Sequence, residues 1–194
     1  MFLKNISIGT LAVVTSCLGA AAAQTQQGDA QAMHQAAAST TANPDHLFAR
    51  KAAQDGMAEV KMGQLAQEKG QSDAVKDFGK RMVDDHTKTN DELKSTVGQE
   101  NLRLPNNLSA HDQATYDRLS KLSGAEFDKA YARDMVMDHK KDIAEFKQEA
   151  NNGQDPQIKN FASQTLPVLQ DHLKQAEDMM QQVGATSAKH TGAQ

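Results

Sequence analysis

Three short stretches of this chain share the pattern Asp-His-x-Lys: Asp85-His86-Thr87-Lys88, Asp138-His139-Lys140-Lys141 and Asp171-His172-Leu173-Lys174. Three of the seven histidines therefore sit in one repeated context. Imidazole nitrogens bind transition metals, and carboxylates either complete such a shell or orient the rings from behind. The residue types are those of a metal site, provided that the chain turns the three rings toward one point.

Helical periodicity supplies that convergence. Apolar residues recurring at alternating steps of three and four give Val75, Phe78, Met82, His86, Thr89 and Leu93 along one segment. A second ladder reads Ala132, Met135, His139, Ile143, Phe146 and Ala150, and a third reads Ile158, Phe161, Thr165, Val168, His172, Ala176, Met179 and Val183. A fourth runs Phe48, Ala52, Asp55, Glu59, Met62 and Ala66, with Glu59 at the step the histidines occupy elsewhere. At 100° per residue, the lysine two positions after each histidine faces water. The aspartate one position before lies on the flank of the stripe. Adjacent helical residues diverge, so it serves a histidine of a neighbouring helix rather than its own. Counted at 1.5 Å per residue from a shared end, the four inward groups lie at depths of roughly 16–22 Å, one level near mid-helix.

Four inward polar groups at one level are costly to bury unpaired. One reading is a transition-metal site of Glu59, His86, His139 and His172 for zinc, iron or manganese, with Asp85, Asp138 and Asp171 as acceptors behind the rings. The other is a metal-free polar layer that sets helix register. Under the first, metal–nitrogen bonds of about 2.0–2.1 Å bring the ring nitrogens to within about 3–4 Å of one another. Asp55 reads as a partly exposed acid near the rim or as a further ligand. Asp128, three turns before His139, is too far to join and reads as a hydrogen-bonding group near a helix start, facing the crossover. Pro167, five residues before His172, is expected to kink its helix.

The elements that must position these groups are punctuated clearly. Asn43-Pro44-Asp45 supplies a cap, a proline at the first helical position and an early acid, and this helix runs to Gly70. Ser72-Asp73 opens a second helix, running to about Glu100. Ser123-Gly124-Ala125-Glu126 has the form of a capping box and opens a third, ending near Gly153. Asp155-Pro156 opens a fourth, ending near Gly184. Between the second and third lies the loop LRLPNN and a short helix in SAHDQATYDRLSKL, with Tyr116, Leu119 and Leu122 inward. Short loops within the first and last pairs make two antiparallel hairpins. The long link returns the chain along the bundle, so the second and third helices run parallel. The fold expected is all-α: a ferritin-like four-helix bundle with a helix-containing crossover.

Composition agrees. With 194 residues the chain suits one domain, and 4% aromatics with no Trp favour helix over sheet. A formal charge of −4 without a basic stripe argues against a nucleic-acid partner. Residues 1–23, with Lys4, an apolar run and Ala21-Ala22-Ala23, read as a cleaved signal peptide that leaves no transmembrane segment. Val14-Thr15-Ser16-Cys17 offers the alternative of a lipid anchor at Cys17, the single cysteine. Residues 24–43, which include His34, read as a flexible linker, 44–184 as the bundle and 185–194 as a frayed tail.

The stretches AAQDGMAEVKMGQLA, VKDFGKRMVDDHTKTNDEL, LSGAEFDKAY, MVMDHKKDIAEF and LPVLQDHLKQA resemble the bacterial family called domain of unknown function 4142, over about residues 46–182. The resemblance implies a ferritin-like bundle exported to the periplasm or outer membrane, and it carries no established activity. By position, Glu59, His86, Asp128, His139 and His172 stand where that family shows its characteristic polar residues. The Glu-x-x-His of di-iron bundles is missing, since Val83, Val136 and Leu169 occupy the places three before the histidines. No nucleophile motif or phosphate loop appears either. The function expected is a metal-binding bundle of the cell envelope, periplasmic or lipid-anchored, with homo-oligomers open. A metal-free interaction module and a metal-dependent oxidoreductase are the alternatives.

Overall fold

A computed structural model describes residues 43–98 and 102–191, with side chains through residue 184. The expected signal peptide, Cys17 and the expected linker with His34 lie outside the described residues. Those described form five helices and no strand: α1 (Pro44–Lys69), α2 (Asp73–Gly98), α3 (Ala110–Ser120), α4 (Gly124–Asn152) and α5 (Pro156–Thr191). None is long and apolar enough to cross a membrane.

Most caps act as their residue types require. Asn43 Oδ1 accepts from the Asp45 backbone N–H at 2.9 Å, and Ser109 Oγ accepts from that of Asp112 at 3.1 Å. Asp155 Oδ1 accepts from Gln157 and Ile158 at 2.8 and 3.0 Å. Each answers amides that a helix start leaves unpaired. The expected capping box at Ser123 does not form, since its side chain makes no cap hydrogen bond. Gly124 takes φ 59° and turns the first residue of α4 out of the geometry that such a box needs. The backbone of α5 continues helical through Thr191.

Two buried aspartates establish the direction of the helices. Asp128, near the start of α4, accepts from the backbone N–H groups of Gln71 and Ser72 at 2.9 Å each, in the α1–α2 turn. It therefore clasps that turn, rather than the crossover to which its sequence position pointed. At the other end Asp45, near the start of α1, accepts from Gln154 at 2.9 Å and also from Asp155, in the α4–α5 turn. The starts of α2 and α4 thus share one end, so these helices run parallel, as expected. The bundle has the ferritin-like order, with α1 beside α2 and α4, and α5 beside α4 and α2.

Packing is tight where the hairpin needs it. A Cβ on Gly63 would lie 2.5 Å from the Gly79 carbonyl oxygen, and one on Gly79 would lie 2.7 Å from that of Gly63. These two glycines let α1 and α2 touch backbone to backbone. The core divides into two apolar clusters along the bundle. Phe78, Met82, Phe127, Tyr131 and Met135 belong to one, and Leu93, Phe146, Phe161 and Leu169 to the other. Helix α3 lies across α1, with Leu119 fully buried. An ion pair from Arg118 to Asp134 ties it to α4. The polar layer falls between the two clusters.

Candidate metal centre

His86, His139 and His172 come together at mid-bundle from α2, α4 and α5, and each is buried. Their ring centroids are 5.3–6.0 Å apart. One nitrogen from each ring lies within 4.8 Å of the others. The three inward rings thus meet at one level of the bundle. The three motif lysines lie on the outside, with Lys88 and Lys174 well exposed and Lys141 partly so.

The second nitrogen of every ring is engaged by a group that can only accept. His86 Nδ1 lies 2.8 Å from Glu59 Oε2. His139 Nδ1 lies 2.9 Å from the Met135 carbonyl oxygen, one turn back on its own helix. His172 Nε2 lies 2.8 Å from Asp85 Oδ2, across the α2–α5 seam. A carboxylate or a carbonyl accepts a hydrogen bond from the ring and donates none, so these nitrogens carry the N–H. The remaining nitrogens, His86 Nε2, His139 Nε2 and His172 Nδ1, then present lone pairs. Those are the buried ring nitrogens with no hydrogen-bond partner.

Glu59 is nearly fully buried on α1. Its Oε1 has no hydrogen-bond partner and lies 3.5 Å from His139 Nε2, so two acceptors face each other. The compact ligand group consists of the three histidines, with Glu59 beside two of them. Burial works against its charge, but the imidazoles around it and the hydrogen bond from His86 hold its carboxyl down to about 2. Burial pushes the imidazolium forms the other way: His172 falls to about 4 despite its bond to Asp85, and His139 is also lowered. Neutral rings with an ionised carboxylate are the protonation states that a cation requires.

The three aspartates of the motif part company. Asp85 does as expected and meets a histidine of another helix. Asp171 does not, because Arg81 draws it outward at 2.8 Å on the exposed flank. Asp138 does not either. It lies with Asp55, Asp112 and Asp142 around a small cavity on the α1–α4 side, where burial and the charges of Glu59 and Asp134 push its carboxyl up to about 6. Asp55 is partly buried, held by Lys51, and forms a carboxylate group with Asp142 and Glu145. Sequence periodicity did not single out Asp142 or Glu145. Their signal is the step of three and six from His139, at the edge of the inward stripe.

The family described as domain of unknown function 4142 matches residues 20–179. None of the curated proteins matches the chain. Among solved structures, a protein of the domain of unknown function 305 from Streptomyces coelicolor, described as secreted, superposes with a TM-score of 0.63 at 13% identity, covering 73% of this chain and 93% of that one. A fragment of a domain of unknown function 305 protein from Deinococcus radiodurans superposes with a TM-score of 0.64 at 13% identity, covering 73% and 97%. At that identity the likeness is one of fold.

Proposed function

This chain belongs to the family described as domain of unknown function 4142, and from that premise and the geometry of its interior we propose that it is an exported protein that holds a transition-metal ion between its helices. The ligands are His86 Nε2, His139 Nε2 and His172 Nδ1, and Glu59 Oε1 is the fourth donor within reach. The observation that carries the reading is the pairing pattern. Each ring spends one nitrogen on a fixed acceptor and keeps the other buried and unpartnered, and the three rings bring a nitrogen each within 4.8 Å of one another. An orphaned buried acceptor costs about 1–3 kcal/mol, and four at one point are offset together by one cation. Zinc, iron and manganese all accept such donors, with imidazole-rich shells favouring zinc or iron over manganese.

Holding the ion, rather than turning over a substrate, fits the space available. The two cavities that reach Glu59 enclose about 10 Å³ each, the room of about one water molecule. Export fits the secreted description of the structural neighbour from Streptomyces coelicolor. The apolar leader with Ala21-Ala22-Ala23 points the same way.

Full-length protein produced without a metal-binding tag tests the reading. Its melting temperature is measured with chelator and with each metal in turn. At a hundredfold excess over Kd, one ion adds about 2.7 kcal/mol, or roughly 5–10 °C for a chain of this size. His139→Ala abolishes that rise. A wild-type curve that no transition metal moves overturns the proposal in favour of a metal-free polar layer that sets helix register.

A further inference from the structure

A buried metal site needs a way in, and the bundle axis and the α2–α5 seam are both closed. Along the bundle axis the layer is capped by apolar clusters, with Phe78, Met82 and Met135 on one side and Leu93, Phe146 and Phe161 on the other. Across the α2–α5 seam the way is barred by Arg81, whose Nε lies 3.1 Å from Asp85 and whose Nη2 lies 2.8 Å from Asp171. A guanidinium there repels any arriving cation.

The α1–α4 seam is different. The two helices are antiparallel, so Asp55, one turn before Glu59, and Asp142, one turn after His139, step away from the layer in the same direction. They meet about 5.4 Å along the bundle. With Glu145 they bring three carboxylate oxygens within 4.8 Å of one another. Asp55 and Glu145 are partly open to solvent, whereas Asp142 is buried. Both small cavities are lined by Asp55, Asp142 and Glu59 together, and one of them also touches His86. Glu59 is the independent pointer to a ligand: a carboxylate 97% buried, on the wall of both cavities, with an oxygen that nothing answers.

We propose that Asp55, Asp142 and Glu145 form a capture site for a hydrated divalent cation and pass it by way of Glu59 Oε1 to the three histidine nitrogens. This rests on the metal-binding reading above. Carboxylate oxygens replace the waters of a hard or borderline divalent ion one at a time, and the cavities admit a single small particle. Charge balance during capture falls to Lys51 and Lys141. Lys51 Nζ lies 3.0 Å from Glu145 Oε2 and also binds Asp55, and Lys141 Nζ lies 3.5 Å from Asp55. Both side chains are about two-fifths exposed, on flexible stems that swing to water as the ion arrives. Burial first, then the charges of Glu59 and Asp55, push the Asp142 carboxyl up to about 9. Asp142 is therefore protonated at neutral pH, and an arriving divalent ion displaces its proton as Asp55 and Glu145 draw the ion in.

The test is the rate of cobalt(II) uptake by chelator-stripped full-length protein, followed by stopped-flow absorbance, with Kd measured separately at equilibrium. Electrostatic guidance of this kind is worth about 10–1,000-fold in association rate. The double variant Asp55→Asn/Asp142→Asn is expected to load at least about tenfold more slowly, with a weaker salt dependence and a Kd that changes much less. Asp84→Asn, which removes one charge on the outer face of α2, is expected to load like wild type. Equal rates for wild type and the double variant, or an equal slowing in Asp84→Asn, overturn the capture site while leaving the metal centre standing. A wild type that binds no cobalt overturns both. Should the double variant lose its helical circular dichroism, Lys141→Glu at the open mouth replaces it. Faster loading is then expected, and unchanged or slower loading refutes the route.

Discussion

The two seams on either side of the histidine layer do opposite electrostatic work with similar residues. On the α2–α5 side, Asp85 takes the N–H of His172 and the Nε of Arg81, and Arg81 then reaches Asp171. One guanidinium serves two carboxylates and every group is answered. Burial works against the Asp85 carboxyl, yet the hydrogen bonds from His172 and Arg81 hold it below the usual range. On the α1–α4 side, Asp55, Asp138, Asp142, Glu145 and Glu59 share two lysines, and burial with mutual repulsion lifts Asp138 to about 6 and Asp142 to about 9. A satisfied seam fixes ring orientation. An over-charged seam keeps a standing demand for a cation. The same Asp-His pair therefore becomes a strut in α2 and part of an acidic cluster in α4, depending on which helix lies alongside.

Acid attacks the first seam most strongly. With metal chelated, His172 titrates at about 4 in the folded protein and at about 6.5 when unfolded. Above pH 6.5 both states are neutral and the layer's contribution is complete. Between 6.5 and 4 the unfolded chain takes up a proton that the folded one refuses, so stability falls with falling pH. At about 1.4 kcal/mol per unit the loss reaches roughly 3 kcal/mol by pH 4. His139, also lowered, adds in the same direction. Urea midpoints of the chelated protein across this range check it, and a midpoint that rises toward pH 4 contradicts it.

Removing the strut is the next largest effect. Asp85→Ala leaves the His172 Nε2–H without its acceptor and Arg81 with Asp171 alone. Loss of such a supporting acceptor lowers metal affinity about 10–100-fold and costs about 1–3 kcal/mol in the metal-free protein. Asp171→Ala, on the exposed side of the same arginine, shifts affinity far less. Isothermal titration of the two variants separates orientation of the ring from simple loss of charge, and equal losses would remove the distinction between them.

How much of this was legible beforehand follows from the range of each interaction. The period of the apolar ladders is local, and it turned His86, His139, His172 and Glu59 inward correctly. The parallel course of α2 and α4 followed from loop lengths. Partners were harder. Asp85 and Asp138 precede their histidines identically, and only the packed neighbour gives one a ring and the other an acidic cavity. Asp142 and Glu145 gain meaning when antiparallel packing sets them beside Asp55. Asp128 was recognised as a hydrogen-bonding group, but its partner, a turn 57 residues earlier in the chain, was not. Residue types favour a capping box at Ser123, but Gly124 at φ 59° decides the backbone there.

The smallest effect is the most diagnostic of the second seam. Asp142 is raised to about 9 in the folded protein, first by burial and then by Glu59 and Asp55, against about 3.9 unfolded. Between those values the unfolded chain ionises and the folded one does not, so this group lowers stability as pH rises, opposite in sign to His172. Asp142→Asn keeps the shape of the protonated acid and removes its ability to ionise. The variant should therefore be more stable than wild type at pH 7 in chelator, by about 1–2 kcal/mol. That is less than the shift alone implies, because Lys51 and Lys141 lie beside the cluster and its carboxylates titrate together. The two melting curves should meet near pH 4 and separate steadily toward pH 9. Added metal should raise both curves by similar amounts, because Asp142 lies on the way in and not among the ligands. A variant less stable than wild type throughout would mean that Asp142 is an ordinary ion-pair partner of Lys141, and that the contrast between the seams lies in packing and not in charge.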